Sequence, residues 1–358
     1  MKRVSLSLGI GAVLAAASLL AAVAPASAAD SAPTASVSPI STPKLLPLHF
    51  SAPFVDVTSV GSIADVAKQS GAKYLTLAFL QTEKPGSCDL YWAGNVNAPV
   101  SADIFGDDIN AIRAAGGDVI PSFGGYAADT TNTEIADSCT DVHKIALAYE
   151  KVITTYKVQR LDFDIEVDAI SNTAGIDRRN KAIHELQGWA LKNRIPLTIA
   201  YTLPSTPQGL GATGVALLQS AADNHAYIGA VNIMTFDYWD GQTHDMVADA
   251  KTAAAGLVNQ MKATIDPYIP RALLWFKVGI IQMNGIDDFG PQETFSPAEA
   301  APFITWAKSK HLNFVSFWAI ERDNGGCPGV KGAWNCSGVV QEPWAFTHAF
   351  STFTGWWI

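Results

Sequence analysis

The chain has 358 residues, 48% of them apolar and 16% charged, which is enough apolar side chain to bury a large core in one big domain or two small ones. Its formal charge of −9 becomes −11 without Lys2 and Arg3, and no cluster of Lys and Arg remains that could track phosphates. Nucleic acid is thereby excluded as a partner.

The first residues, Met1-Lys2-Arg3, lead into an uncharged apolar run over 4–23 that closes on Ala26-Ser27-Ala28, a small-x-small cleavage pattern. Residues 1–28 therefore read as a secretory signal, and the product as an extracellular protein with no membrane association after cleavage. The competing reading, a membrane anchor, fits less well, because the run is Ala-rich and no charged stop-transfer flank precedes the cleavage pattern. Residues 29–44, rich in Ser, Thr, Ala and Pro without an apolar period, read as a flexible leader. The folded unit is expected over 45–358. No Pro/Thr-rich linker or repeated block follows, so every function is expected on one catalytic domain.

Short β-rich runs recur over 48–55, 73–80, 117–123, 160–166, 196–202, 230–236, 276–283 and 314–320. Between the third and fourth, Val142, Ile145, Tyr149, Val152, Ile153 and Tyr156 keep the spacing of one helical stripe, and further helices are predicted over 176–193, 247–265 and 297–310. Strands alternating with helices argue for a parallel sheet, and eight such units for an α/β fold of the (β/α)8 TIM-barrel type. The rival, a doubly wound open sheet, lacks its Gly-rich turn after the first strand. In a barrel, chemistry sits at the C-terminal ends of the strands.

The fourth strand carries the chemistry. In Leu161-Asp162-Phe163-Asp164-Ile165-Glu166 the two-residue period sends the three carboxylates to one face and the apolar residues to the other. Crowded, poorly hydrated acids repel one another, so at least one holds a proton near neutral pH, as a general acid requires. The competing readings are a solvated acidic face and a Mg or Ca site. The position of Glu166, last before a loop on a barrel strand, favours the catalytic one.

This segment resembles the signature strand of glycoside hydrolase family 18, the chitinases, D-x-x-D-x-D-x-E. Asp162, Asp164 and Glu166 match, whereas Gln159 stands at the first Asp. Ser122-Phe123-Gly124-Gly125 resembles the family's S-x-G-G on the third strand, and Met234-Thr235-Phe236-Asp237-Tyr238 its M-x-Y-D on the sixth, with Phe236 in place of the tyrosine. Phe317-Trp318-Ala319 resembles the eighth-strand tryptophan that floors the central sugar site. Each match alone is cheap, and a strand Trp is more often core than platform. Their order along the chain is the specific signal.

The resemblance implies a chitinase acting on chitin or N-acetylglucosamine oligosaccharides by retaining, substrate-assisted hydrolysis. Glu166 would be the general acid, Asp164 would orient the substrate acetamido group, and Asp162 would share a proton with Asp164. Asp237 and Tyr238 would bind the same sugar, Tyr238 from the face of Phe236. Tyr126, Tyr201, Trp239 and Trp318 are candidate sugar platforms, each with a competing reading as core. No cofactor or metal is expected: the seven histidines show no H-x-x-x-H or H-E-x-x-H spacing, and no G-x-S-x-G is present. An oxidising destination favours disulfides for the four cysteines, with Cys327 paired to Cys336 and Cys88 to Cys139, although a swap stays open. A monomer is expected. The alternatives are a chitin-binding lectin, an endo-acting enzyme on glycoproteins, and a peptidoglycan hydrolase.

Overall fold

The structure, a computed structural model, describes residues 39–355 and Trp357. The expected signal, 1–28, and most of the leader lie outside the described residues. Among the described residues, nine parallel strands form the body of one eleven-stranded sheet, to which Tyr91–Trp92 and Gly209–Leu210 add short antiparallel pairings: β1 (Phe50–Ser51), β2 (Phe54–Asp56), β3 (Tyr74–Gln81), β4 (Asp118–Gly124), β5 (Arg160–Asp164), β6 (Thr198–Thr206), β7 (Ala230–Met234), β8 (Val278–Met283) and β9 (Phe314–Trp318). Their spatial order is β1-β9-β8-β7-β6-β5-β4-β3-β2, and all neighbouring pairs are parallel.

The predicted single strand over 48–55 is split at Ala52-Pro53, and the split closes the sheet on itself. Ala52 N–H still donates to Val315 O on β9, whereas Pro53, with no N–H to give, offers its carbonyl to Thr76 N–H on β3. One extended segment thus bonds to both edges. A TIM barrel results, with β1 and β2 sharing the first position.

Helices cover the outside. Val142–Tyr156 is capped by Asp141, which accepts the Lys144 N–H at 3.1 Å, and its stripe from Ile145 to Tyr156 is buried. Tyr149 meets Phe123 of β4 and Phe163 of β5 edge-on, at 5.1 and 5.0 Å between ring centroids. Burial of one such aromatic contributes roughly 2–3 kcal/mol. These contacts fix the outward face of β5, and therefore which residues point inward.

The folded unit starts earlier than 45. Ile40 is buried in the main core, Ser41 N–H donates to Asn110 Oδ1 at 2.7 Å, and Arg113 Nη1 donates to Ser41 O at 2.7 Å. The sequence misplaced this boundary because one isoleucine among Ser and Pro shows no periodicity. At the N-terminal ends of the strands, His49 and Gly355 exchange two backbone hydrogen bonds, and the His49 ring stacks on Trp357 at 3.9 Å. Disulfides join Cys88 to Cys139 and Cys327 to Cys336. Among the described residues, no helix is long and apolar enough to cross a membrane.

Candidate active site

At the C-terminal ends of the strands lies a cleft of about 470 Å³. Asp164 and Glu166 open into it, flanked by Thr202 and Pro204 of β6, Met234 of β7, Met283 of β8 and Trp318 of β9. The strand period sets this arrangement up. Leu161, Phe163 and Ile165 are fully buried toward the helices, and the three acids alternate with them into the barrel.

Each acid meets a different environment. Asp162 is deepest, and its carboxylate accepts from Ser122 Oγ at 2.7 Å, Thr202 Oγ1 at 2.8 Å and Asn232 Nδ2 at 3.2 Å. Burial raises its pKa to about 6, and these donors hold it from going higher. Asp164 is buried, its Oδ1 has no hydrogen-bond partner, and burial with the charges of Glu166, Asp162 and Asp129 pushes its pKa well above the carboxylate range. Glu166 is half-buried at the cleft, and burial lifts it to about 7 against the opposing backbone hydrogen bond from Tyr126. The set can therefore hold protons near neutrality, with the outermost acid poised to exchange one with a ligand.

The glycines of Ser122-Phe123-Gly124-Gly125 are required by close approach. A Cβ on Gly124, at φ +93°, would lie 2.2 Å from Asp164 O, and one on Gly125, at φ +79°, 2.5 Å from the Phe79 ring. Phe79 in turn stacks on Trp318 at 5.8 Å and 12°, with Phe54 tilted against the same tryptophan at 6.1 Å. Trp318 is thus half-buried at the cleft beside two aromatic neighbours that also line it.

Tyr126 and Trp239 stand at the rim, 65% and 61% exposed, and Phe236 and Asp237 also line the cleft. Two expected residues lie elsewhere. Tyr201 is in mid-strand on the outer face of β6, beside Phe163, and its hydroxyl donates to Asn180 Oδ1 at 2.6 Å, so it is core and not a sugar platform. Tyr238 does not share the face of Phe236. β7 ends at Met234, Asp237 takes a left-handed φ of +52°, and the turn sends Tyr238 away from the cleft onto His244, 4.9 Å between centroids. The two-residue alternation applies only where a strand continues.

Gln159 also plays a smaller part than its motif position implies. It precedes β5 and contributes its carbonyl to Thr198 N–H, while the inward position below Asp162 is Arg160. That guanidinium lies over the Phe50 and Phe314 rings, 5.2 Å from each centroid, and donates to Asn313 Oδ1 at 2.7 Å. Sequence reasoning missed Asp129, whose Oδ2 accepts the Glu166 N–H at 2.5 Å, and Asp288, which lines the cleft and whose charge raises the pKa of Glu166. The doublet Asp287-Asp288 after β8 was a visible signal for the second. Nothing in the sequence marked the first.

No family model matches the chain. A probable bifunctional chitinase/lysozyme of Escherichia coli (strain K12) is 30% identical over 328 residues, 88% of this chain and 36% of that protein. Endochitinase 11 of Metarhizium anisopliae is 30% identical over 297 residues, 79% of this chain and 54% of that protein. The crystal structure of active domain 2 of a Pyrococcus furiosus chitinase superposes with a TM-score of 0.75 at 28% identity, over 87% of this chain and 97% of that domain. The chain belongs to glycoside hydrolase family 18, the chitinases.

The chain spans about a third and about half of the two curated relatives, and nearly all of the archaeal domain. Within the family pattern, its departures fall at Gln159, outside the cleft, and at Phe236, which lines the cleft but carries no hydroxyl.

Proposed function

We propose that this family 18 chain is a secreted, monomeric chitinase that cleaves β-1,4 bonds between N-acetylglucosamine residues with retention, assisted by the substrate. The observation that carries the reading is the position of Glu166, with its pKa at about 7, directly above the more deeply buried Asp164 in an aromatic-lined cleft. An acid at that pKa gives up a proton near neutrality, as departure of a sugar alkoxide requires.

In the reaction, the Glu166 carboxyl donates its proton to the glycosidic oxygen while the substrate's acetamido oxygen attacks the anomeric carbon and the C–O bond to the leaving sugar breaks. Asp164 accepts the acetamido N–H and offsets the positive charge of the oxazolinium. Asp162, fixed by its three donors, holds the inner end of the set and shares its proton with Asp164. The Glu166 carboxylate then takes a proton from the water that opens the oxazolinium, which restores the anomeric configuration.

Trp318 is the sugar platform of this reading, with Tyr126 and Trp239 at the rim. The archaeal domain has been crystallised, as catalytic-site mutants, with chito-oligosaccharides, which supports the same ligand class here. Secretion is supported by the N-terminal pattern and by the two disulfides. The printed name of the E. coli relative also includes lysozyme, so peptidoglycan is the second substrate to assay.

The test is hydrolysis of N-acetylglucosamine oligomers by wild type and Glu166→Gln, with product anomers read by NMR within minutes. Release of β-anomers by wild type alone is expected. Wild-type activity in Glu166→Gln would remove the assignment, and binding without cleavage by both proteins would identify a lectin.

A further inference from the structure

We propose that Asp129 is a positioning residue for the catalytic strand end, its buried carboxyl serving as the neutral hydrogen-bond acceptor that holds the Glu166 backbone in place. The proposal rests on Glu166 being the general acid.

The main chain at Glu166 has left the sheet. The last ladder bond of β5 runs from Ile165 N–H to Thr202 O, and Val167 turns sharply with φ at +29°. The Glu166 N–H therefore has no strand partner, and a buried unpaired N–H is costly. Asp129 supplies the acceptor from the helix Tyr126–Thr131, at 2.5 Å to Oδ2. That helix is itself bonded to the strand. Gly125 N–H donates to Asp164 O at 2.9 Å, and Asp129 N–H donates to Gly125 O at 3.0 Å. The three bonds and the covalent chain form a ring that ties the backbones of both catalytic acids to one short helix.

The charge state follows from the surroundings. Asp129 is fully buried, and its Oδ1 has no partner. The ionisable groups that face it are Glu166, Asp164 and Glu134, together with Arg179, whose guanidinium is engaged by Glu134 at 2.6 Å. A charge here would be desolvated and repelled by three acids, and burial accordingly raises the pKa to about 9. The neutral carboxyl still accepts the N–H through its second oxygen. An asparagine keeps that acceptor, and an alanine removes it.

The experiment compares Asp129→Ala and Asp129→Asn with wild type on a chromogenic N-acetylglucosamine oligomer, from pH 4 to pH 9. Displacement of a general acid by about 1 Å costs on the order of 100-fold. Asp129→Ala is therefore expected to lose kcat by roughly that factor at nearly constant KM. Its alkaline limb should move to lower pH as the released segment admits water to Glu166. Asp129→Asn should restore at least a third of the wild-type kcat and the wild-type limb. A folded Asp129→Ala with wild-type kcat and limb overturns the proposal, and so does a tenfold or greater loss in folded Asp129→Asn. The second outcome decides the matter even if Asp129→Ala fails to fold. An active Glu166→Gln would instead overturn the catalytic assignment.

Discussion

The alkaline limb of the pH–rate profile tests the electrostatics of the cleft directly. In the proposed mechanism Glu166 must carry a proton to act, and burial lifts its pKa from the ordinary 4.5 to about 7, with the Asp288 charge adding to the rise. At pH 7 an ordinary glutamic acid is about 0.3% protonated, whereas one at about 7 is roughly half protonated, a difference of about 150-fold in competent enzyme. For a neutral oligosaccharide, kcat/KM should then fall tenfold per pH unit above about 7. Asp288→Asn removes the smaller contribution, so its limb should shift to lower pH by less than one unit, leaving burial to hold most of the rise. The assay is kcat/KM for a chromogenic oligomer at constant ionic strength in wild type and Asp288→Asn. A wild-type profile that already declines at pH 5, or an Asp288→Asn limb that moves upward, would refute the reasoning.

Tyr201→Phe should lower stability by roughly 1–3 kcal/mol, because the buried Asn180 Oδ1 loses its donor. It should leave kcat/KM unchanged, and a raised KM would return Tyr201 to the cleft. Replacing both Cys88 and Cys139 with Ser opens a link across 51 residues, for which chain entropy predicts a loss of about 4 kcal/mol, read as a lowered denaturation midpoint.

Strand period carried most of the legible information. It sent Asp162 and Asp164 to one face of β5, with Glu166 just beyond its end toward the same cleft, and gave eight strand positions in the right order, because a buried strand must alternate its faces. It also carried too far. The predicted strands over 160–166 and 230–236 each overrun the observed end by two residues, since Glu166 and Phe236 keep an alternating pattern while serving the cleft from loops. The same overrun misplaced Tyr238, for nothing in Phe-Asp-Tyr announces a left-handed aspartate. Tyr201 failed differently. Aromatic chemistry suits a sugar and a core equally well, and only the register against Phe163 decides between them. Asp129 lies within Ala-Asp-Thr-Thr-Asn-Thr, which reads as an ordinary solvated helix end, and its bond to Glu166 spans 37 residues.

The reciprocal bonds between His49 and Gly355 have a practical consequence. They bring the beginning and the end of the barrel together at its base, while the cleft opens at the opposite pole. A tether attached at either end would hold the molecule by its back, with the substrate-facing side turned outward. Immobilisation on a solid support through either end, or a short bridge joining both, should therefore leave access for a polymer too large to diffuse.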